Sequence, residues 1–199
     1  MIAYKFLAAG RTGPFTGYVW PRRDWVDASS AREGAGVHAC RISDLPWWID
    51  DDLWRVELSG PVVERETQIE ARRGRLVERV APWDARALAE FAVHGALRTR
   101  DLAVLALADA GVRSEALARA RTLHEVRAAL EGLPALSGVP AEMAAYAREA
   151  CTRALDGAAG SATHMAAVAA VALQGPPGFA AERAVQSRWI AERCGFNSE

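Results

Sequence analysis

Residues 51–60, DDLWRVELSG, decide how the first half of this chain is read. Trp54, Val56 and Leu58 alternate with Arg55 and Glu57, the period-two pattern of a strand with one buried and one wet face. Gly60 and Pro61 follow as turn formers. Outward from this stretch, further short apolar runs read as strands: IAYKFL (2–7), TGYVW (16–20), AGVHAC (35–40), TQIEAR (67–72) and RLVERVA (75–81). Gly10, Gly13, Gly17 and Gly74 are expected to supply the turns between them. SDLPWWI (43–49) reads as one helical turn, with Ser43 capping its first amides and Pro46 early enough to be tolerated.

Beyond Trp83 the period becomes helical. Asp84 is placed to cap ARALAEFAVHGALR (85–98) and Thr99 to cap RDLAVLALADAG (100–111). Thr122 and Glu125 form a capping box for LHEVRAALEG (123–132). The linker LPALSGVP leads to AEMAAYAREACTRAL (141–155), Ser161 starts ATHMAAVAAVALQ (162–174), and GPPG precedes FAAERAVQSRWIAERCG (179–195). In that last helix Phe179, Ala180, Ala184, Val185, Ile190 and Ala191 form the expected apolar stripe, with Arg183, Gln186, Glu192 and Arg193 facing away. The expected fold is therefore α+β: an antiparallel β-rich domain (1–82) packed on an α-helical bundle (83–199).

The 199 residues are 51% hydrophobic and 25% charged, a globular composition, and the net charge of −1 argues against nucleic acid as a partner. Lys5 is the only lysine among 24 basic residues. Cys40, Cys151 and Cys194 have no CxxC spacing, which argues against a disulfide scaffold or structural zinc. His38, His94, His124 and His164 are scattered, and no metal or cofactor is expected. The N-terminal run is too short for a signal peptide and no span suits a bilayer, so the expectation is a cytoplasmic bacterial protein without membrane partners. No Walker A loop, GxGxxG, GxSxG or HExxH pattern occurs.

Candidate site residues cluster in the β-rich half. His38 lies in a strand, opposite in direction to Val37 and Ala39, and suits an acid–base or orienting role. Lys5 is a candidate nucleophile or anion anchor, with Arg11, Tyr18 and Trp20 as the neighbours that would line a pocket. Trp47 and Trp48 diverge on their turn, so one can pack inward while the other roofs a cleft. The Asp50–Asp52 run solvates a turn or, as a ligand set, selects cations.

YKFL (4–7), GPFTGYVW (13–20), GVHAC (36–40), DLPWWIDDDLWRVELSG (44–60) and IEARRGRLVERV (69–80) resemble a group of actinobacterial and bacteriophage proteins with no assigned activity. That resemblance covers roughly residues 4–81 and implies a shared β-rich domain. GAGVHAC (34–40) followed by WRVELSG (54–60) is also similar in order and spacing to strands of the ADP-ribosyltransferases. There His38 stands where the poly-ADP-ribosyl branch has its nicotinamide-stacking tyrosine, and Tyr4-Lys5 replaces the ribose-binding His-Gly. The run Glu64-Arg65-Glu66 is a superficial match to that family's catalytic glutamate, and no residue is assigned that place.

Three functional readings follow. The first is a binding or interaction module whose β-rich domain takes a small molecule or a protein partner. The second is a metal-independent enzyme using Lys5, Arg11 and His38 in an aromatic-lined pocket, including an ADP-ribosyltransferase-like transferase. The third, a phage-related or defence accessory protein, rests on the resemblance alone. The oligomeric state is left open.

Overall fold

A computed structural model describes residues 1–31 and 36–196; the first residue of the expected strand 35–40 lies outside them. The fold is α+β, with an antiparallel five-stranded sheet in the N-terminal part and helices in the C-terminal part. The strands are β1 (Ile2–Leu7), β2 (Val26–Asp27), β3 (Val37–Ala39), β4 (Asp52–Glu64) and β5 (Ile69–Arg79). The helices are α1 (Ala28–Ala31), α2 (Ala85–Asp109), α3 (Glu115–Arg119), α4 (Leu123–Glu131), α5 (Gly138–Leu155), α6 (Ala159–Gln174) and α7 (Pro177–Cys194). Two compact units result: Met1–Leu88 with the stretch from Ser187 onward, and Ala89–Gln186. These ranges differ from a division at residue 82, because α2 and α7 each supply residues to both units.

In the first unit β4 and β5 form a long hairpin, β1 pairs with the start of β4, and β3 and β2 lie end to end along the other edge of β5. Tyr4 and Cys40 then exchange two backbone hydrogen bonds, of 2.9 and 2.7 Å, which join the end of β3 back to β1. The ring β1–β4–β5–β3 is thereby closed into a small barrel, and closure satisfies edges that would otherwise template pairing. Its interior holds Ala3, Leu7, Trp20, Val37, Ala39, Trp54, Val56, Leu58, Ile69, Ala71 and Leu76. Trp54, Val56 and Leu58 face inward as the alternation requires. On the outer face Phe6 meets Trp83 edge to face, with ring centroids 5.3 Å apart.

Several local expectations are corrected. TGYVW forms no strand; only Val19 pairs, in a single bridge to Thr12. Residues 67–81 do not turn at Gly74, since β5 runs straight through it. The glycine is needed for space instead: a Cβ there would lie 2.8 Å from Val37 Cγ1. Gly60 and Pro61 do not end β4 either; they form a bulge at which the register shifts, with Gly60 at φ 88°. The turn Ile42–Trp47 is 3-10, and its cap is Asp44 accepting from the Arg41 amide rather than Ser43.

Helix α2, most of it in the second unit, is one helix of 25 residues, and Thr99 does not start a new one. Its hydroxyl donates to the Gly95 carbonyl at 2.8 Å, so it is spent within the helix instead of capping one. The capping box of Thr122 and Glu125 is present. Small residues let α2 and α6 approach closely: a Cβ on Gly95 would meet Thr163 Cα at 2.7 Å. The expected polar face of α7 is corrected most sharply, because Arg183 and Gln186 are buried while Ala184 is exposed. Glu182 accepts from Arg98 at 2.7 Å, Gln186 donates to the Thr163 carbonyl at 2.8 Å, and Arg183 donates to Gln186 at 2.9 Å. Mutual hydrogen bonding makes that polar burial tolerable.

Candidate functional site

A cleft of about 450 Å³ opens on the outside of the barrel, within the first unit. Its wall is built where β1 and β3 join. Tyr4 and His38 alternate with the inward residues of their strands, so both lie on the outer face. Tyr4 is buttressed by Phe196, whose ring centroid lies 4.6 Å away. The opposite side comes from the loop after Thr12, where Phe15 is 82% exposed, and from Trp48 at the end of the 3-10 turn. Phe15 and Trp48 meet edge to face at 6.2 Å. Gln68, beside the hairpin tip, completes the lining.

The tip is held in place by the segment that carries Trp48. Trp48 Nε1 donates to the Thr67 carbonyl at 2.7 Å. Arg41 donates to Asp44 at 2.6 Å, to Glu64 at 3.1 Å, and to the carbonyls of Arg65 and Glu66 at 2.8 and 2.9 Å. Ser187 in α7 anchors the same segment through the Ile42 carbonyl at 2.7 Å. Four bonds from two side chains, Trp48 and Arg41, thus tie this segment to the tip that carries Gln68.

Of the residues singled out in the sequence, the structure brings Lys5, His38 and Trp48 to this cleft. Lys5 shares the inward face of β1 with Ala3 and Leu7 and is only 8% exposed. Its ammonium donates to the His38 carbonyl at 2.7 Å and stands 5.0 Å from the centroid of Trp20. The remaining candidates lie elsewhere. Trp20 is fully buried in the barrel, with Tyr18 edge-on to it, and Arg11 is spent on the Trp20 carbonyl at 2.8 Å. Trp47 is 43% exposed and does not line the cleft. Asp51 accepts from the Ala9 amide and Asp52 from Arg79, at 2.9 and 2.7 Å, so two of the three aspartates brace the barrel.

Cys40 also lines the cleft, but burial, reinforced by the nearby Asp44 carboxylate, pushes its thiol far above the usual range. A thiol held neutral is a poor nucleophile. Glu70 is held below the usual carboxylate range, first by Arg65 and further by the Gln68 amide. It sits directly across the β3–β5 ladder from His38.

Tyr4 as wall, Phe15 and Gln68 were not singled out as site residues from the sequence. Phe15 sits in GPFTG, which reads as a turn, and Gln68 reaches the cleft only through the geometry of the hairpin tip. No family model matches the chain, and no curated protein or solved structure is detectably similar to it.

Proposed function

We propose that this protein is a small-ligand binding module whose barrel takes a flat, ring-shaped molecule into the outer cleft. The observation that carries the reading is the composition of the wall: four aromatic residues, Tyr4, Phe6, Phe15 and Trp48, around about 450 Å³ with His38 and Gln68 as polar groups. Ligand pockets combine mostly apolar walls with a few placed polar groups, and this cleft falls in their size range. Rings offer face and edge contacts to another ring that an aliphatic ligand cannot use as well.

A second reading, a metal-independent enzyme, is favoured by one observation, that His38 and Lys5 share the cleft. It requires His38 as the acid–base group. Arg11, bound at the Trp20 carbonyl, has no part in it.

A thermal-shift screen with aromatic and heteroaromatic metabolites tests the binding reading. A ligand at 100 times its dissociation constant stabilises by about 2.7 kcal/mol. Stabilisation by ring compounds that Trp48→Ala abolishes is the expected result. Absence of any shift across the panel overturns it.

A further inference from the structure

The polar end of the cleft has a defined hydrogen-bonding polarity. Arg65 holds Glu70 through Nε and Nη2 at 3.3 and 3.2 Å, and Gln68 Nε2 donates to Glu70 Oε1 at 2.9 Å. An ionised carboxylate can only accept. The Gln68 amide is therefore oriented with its nitrogen toward Glu70, and Oε1 is the arm left to accept a bond from a ligand. Flipping it would set oxygen against oxygen.

The cationic side of the site is spent differently. Among the described residues Lys5 is the only basic side chain lining the cleft apart from His38, and its ammonium is directed to the His38 carbonyl and the Trp20 ring. Arg41 and Arg65, the guanidinium groups near the hairpin tip, are engaged with Asp44, Glu64 and Glu70. Among the described residues lining the cleft there is no guanidinium fork to grip a phosphate or carboxylate, the usual basis of anion recognition. Aromatic walls, one oriented acceptor and a carboxylate behind it favour neutral or weakly basic rings.

We propose that the ligand class is a planar nitrogen heteroaromatic carrying an exocyclic amine or ring N–H, bound as the uncharged ring, with Gln68 Oε1 accepting from that donor. This inference rests on the ring-binding reading of the cleft and adds the chemistry that reading leaves open. Gln68 is then a specificity-determining residue, and Glu70 positions it.

The test is calorimetric titration of the whole chain with 9-methyladenine and with 6,9-dimethylpurine, which replaces the amine by a methyl group of similar size. The amino compound is expected to bind roughly tenfold more tightly, the worth of one good hydrogen bond. Gln68→Met should erase that difference, weakening the amino compound more than the dimethyl compound. Glu70→Gln, which frees the amide to rotate, should shrink it as well and serves if the first variant does not fold. Adenosine monophosphate should gain less than threefold over adenosine.

Equal binding of the two purines by the wild-type chain overturns the inference and leaves the cleft reading standing. A tenfold or greater gain from the phosphate also overturns it. Binding of carbocyclic rings without either purine does the same. If no aromatic compound binds, the cleft reading falls and this inference falls with it.

Discussion

The ammonium of Lys5 lies 2.7 Å from the backbone carbonyl of His38 and fastens strand β1 to strand β3 from inside the barrel. The chain's lone lysine thus supports the wall that carries His38. Replacing Lys5 with Met keeps its bulk but strands the His38 carbonyl away from this donor. Losing a hydrogen bond from a charged donor costs about 1.5–3 kcal/mol. For a chain of this length a loss of about 2 kcal/mol lowers the melting temperature by roughly 4–8 °C, which calorimetry would show. An unchanged melting temperature would mean that the bond contributes nothing to the fold.

Phe15 gives the opposite expectation. At 82% exposure it contributes little to the core, so Phe15→Ala should leave stability within about 0.5 kcal/mol. Ring ligands should nevertheless bind several-fold more weakly, because its contact with Trp48 forms one side of the cleft. Titration and melting of the same variant separate the two effects.

The three cysteines are all buried and unpaired. Burial pushes the Cys151 and Cys194 thiols up to about 11, and that of Cys40 higher still. Native protein at pH 8 should therefore react slowly with a thiol reagent, and denatured protein should release three thiols per chain. The pH dependence has a definite sign. Each thiol is neutral in the folded chain but ionises near its usual value of 9.0 when unfolded. Stability from these groups is complete below that value and is lost as pH rises through it toward the folded values. Denaturant midpoints between pH 8 and 11 should fall accordingly.

Arg98 and Glu182 form an asymmetric pair in the helical unit. The Arg98 side chain is 32% exposed and that of Glu182 2%. Removing Glu182 leaves a guanidinium that water can still reach, whereas removing Arg98 leaves a buried carboxylate without its main partner. Arg98→Met should thus be the more damaging change, by about 3 kcal/mol, and Glu182→Met the milder one. Urea unfolding of the two variants checks the order.

Gly95 sets two effects against each other. Alanine is better than glycine inside a helix by about 1 kcal/mol. Its Cβ would, however, lie 2.6 Å from Thr163 Cγ2 and 2.7 Å from Thr163 Cα, and backbone cannot swing aside. Overpacking of this kind costs about 1–3 kcal/mol or more, so Gly95→Ala should be net destabilising. A melting curve decides it.

The fold class was legible because burial on one face writes a period into the chain. Trp54, Val56 and Leu58 show it in β4, and the Thr122–Glu125 box marks its helix start unaided by tertiary context. Gly74 and the Gly60–Pro61 pair misled because a glycine that makes room and a glycine that makes a turn are the same letter. Thr99 misled likewise, since a hydroxyl can cap a helix or bond back within one. The polar core of α7 was illegible from hydropathy, as Gln186 is satisfied by Thr163 from another helix and Arg183 by Gln186 one turn on. Within the site, His38 and Trp48 could be picked out by residue type and strand direction. Gln68 could not, because its role comes from the Glu70 neighbour and the tethered tip.

Closure of the barrel through Tyr4 and Cys40 also has a meaning in time. The first strand finds its partners only at residues 40 and 52–57, so it waits while about fifty more residues are made. At ~5–20 residues per second of synthesis that is roughly 3–10 s, during which its apolar residues are unprotected. The helical unit also waits on distant partners, since Gly95 packs on Thr163 and Arg98 pairs with Glu182. In nascent chains that end before residue 52, β1 has none of its β4 partners to pair with.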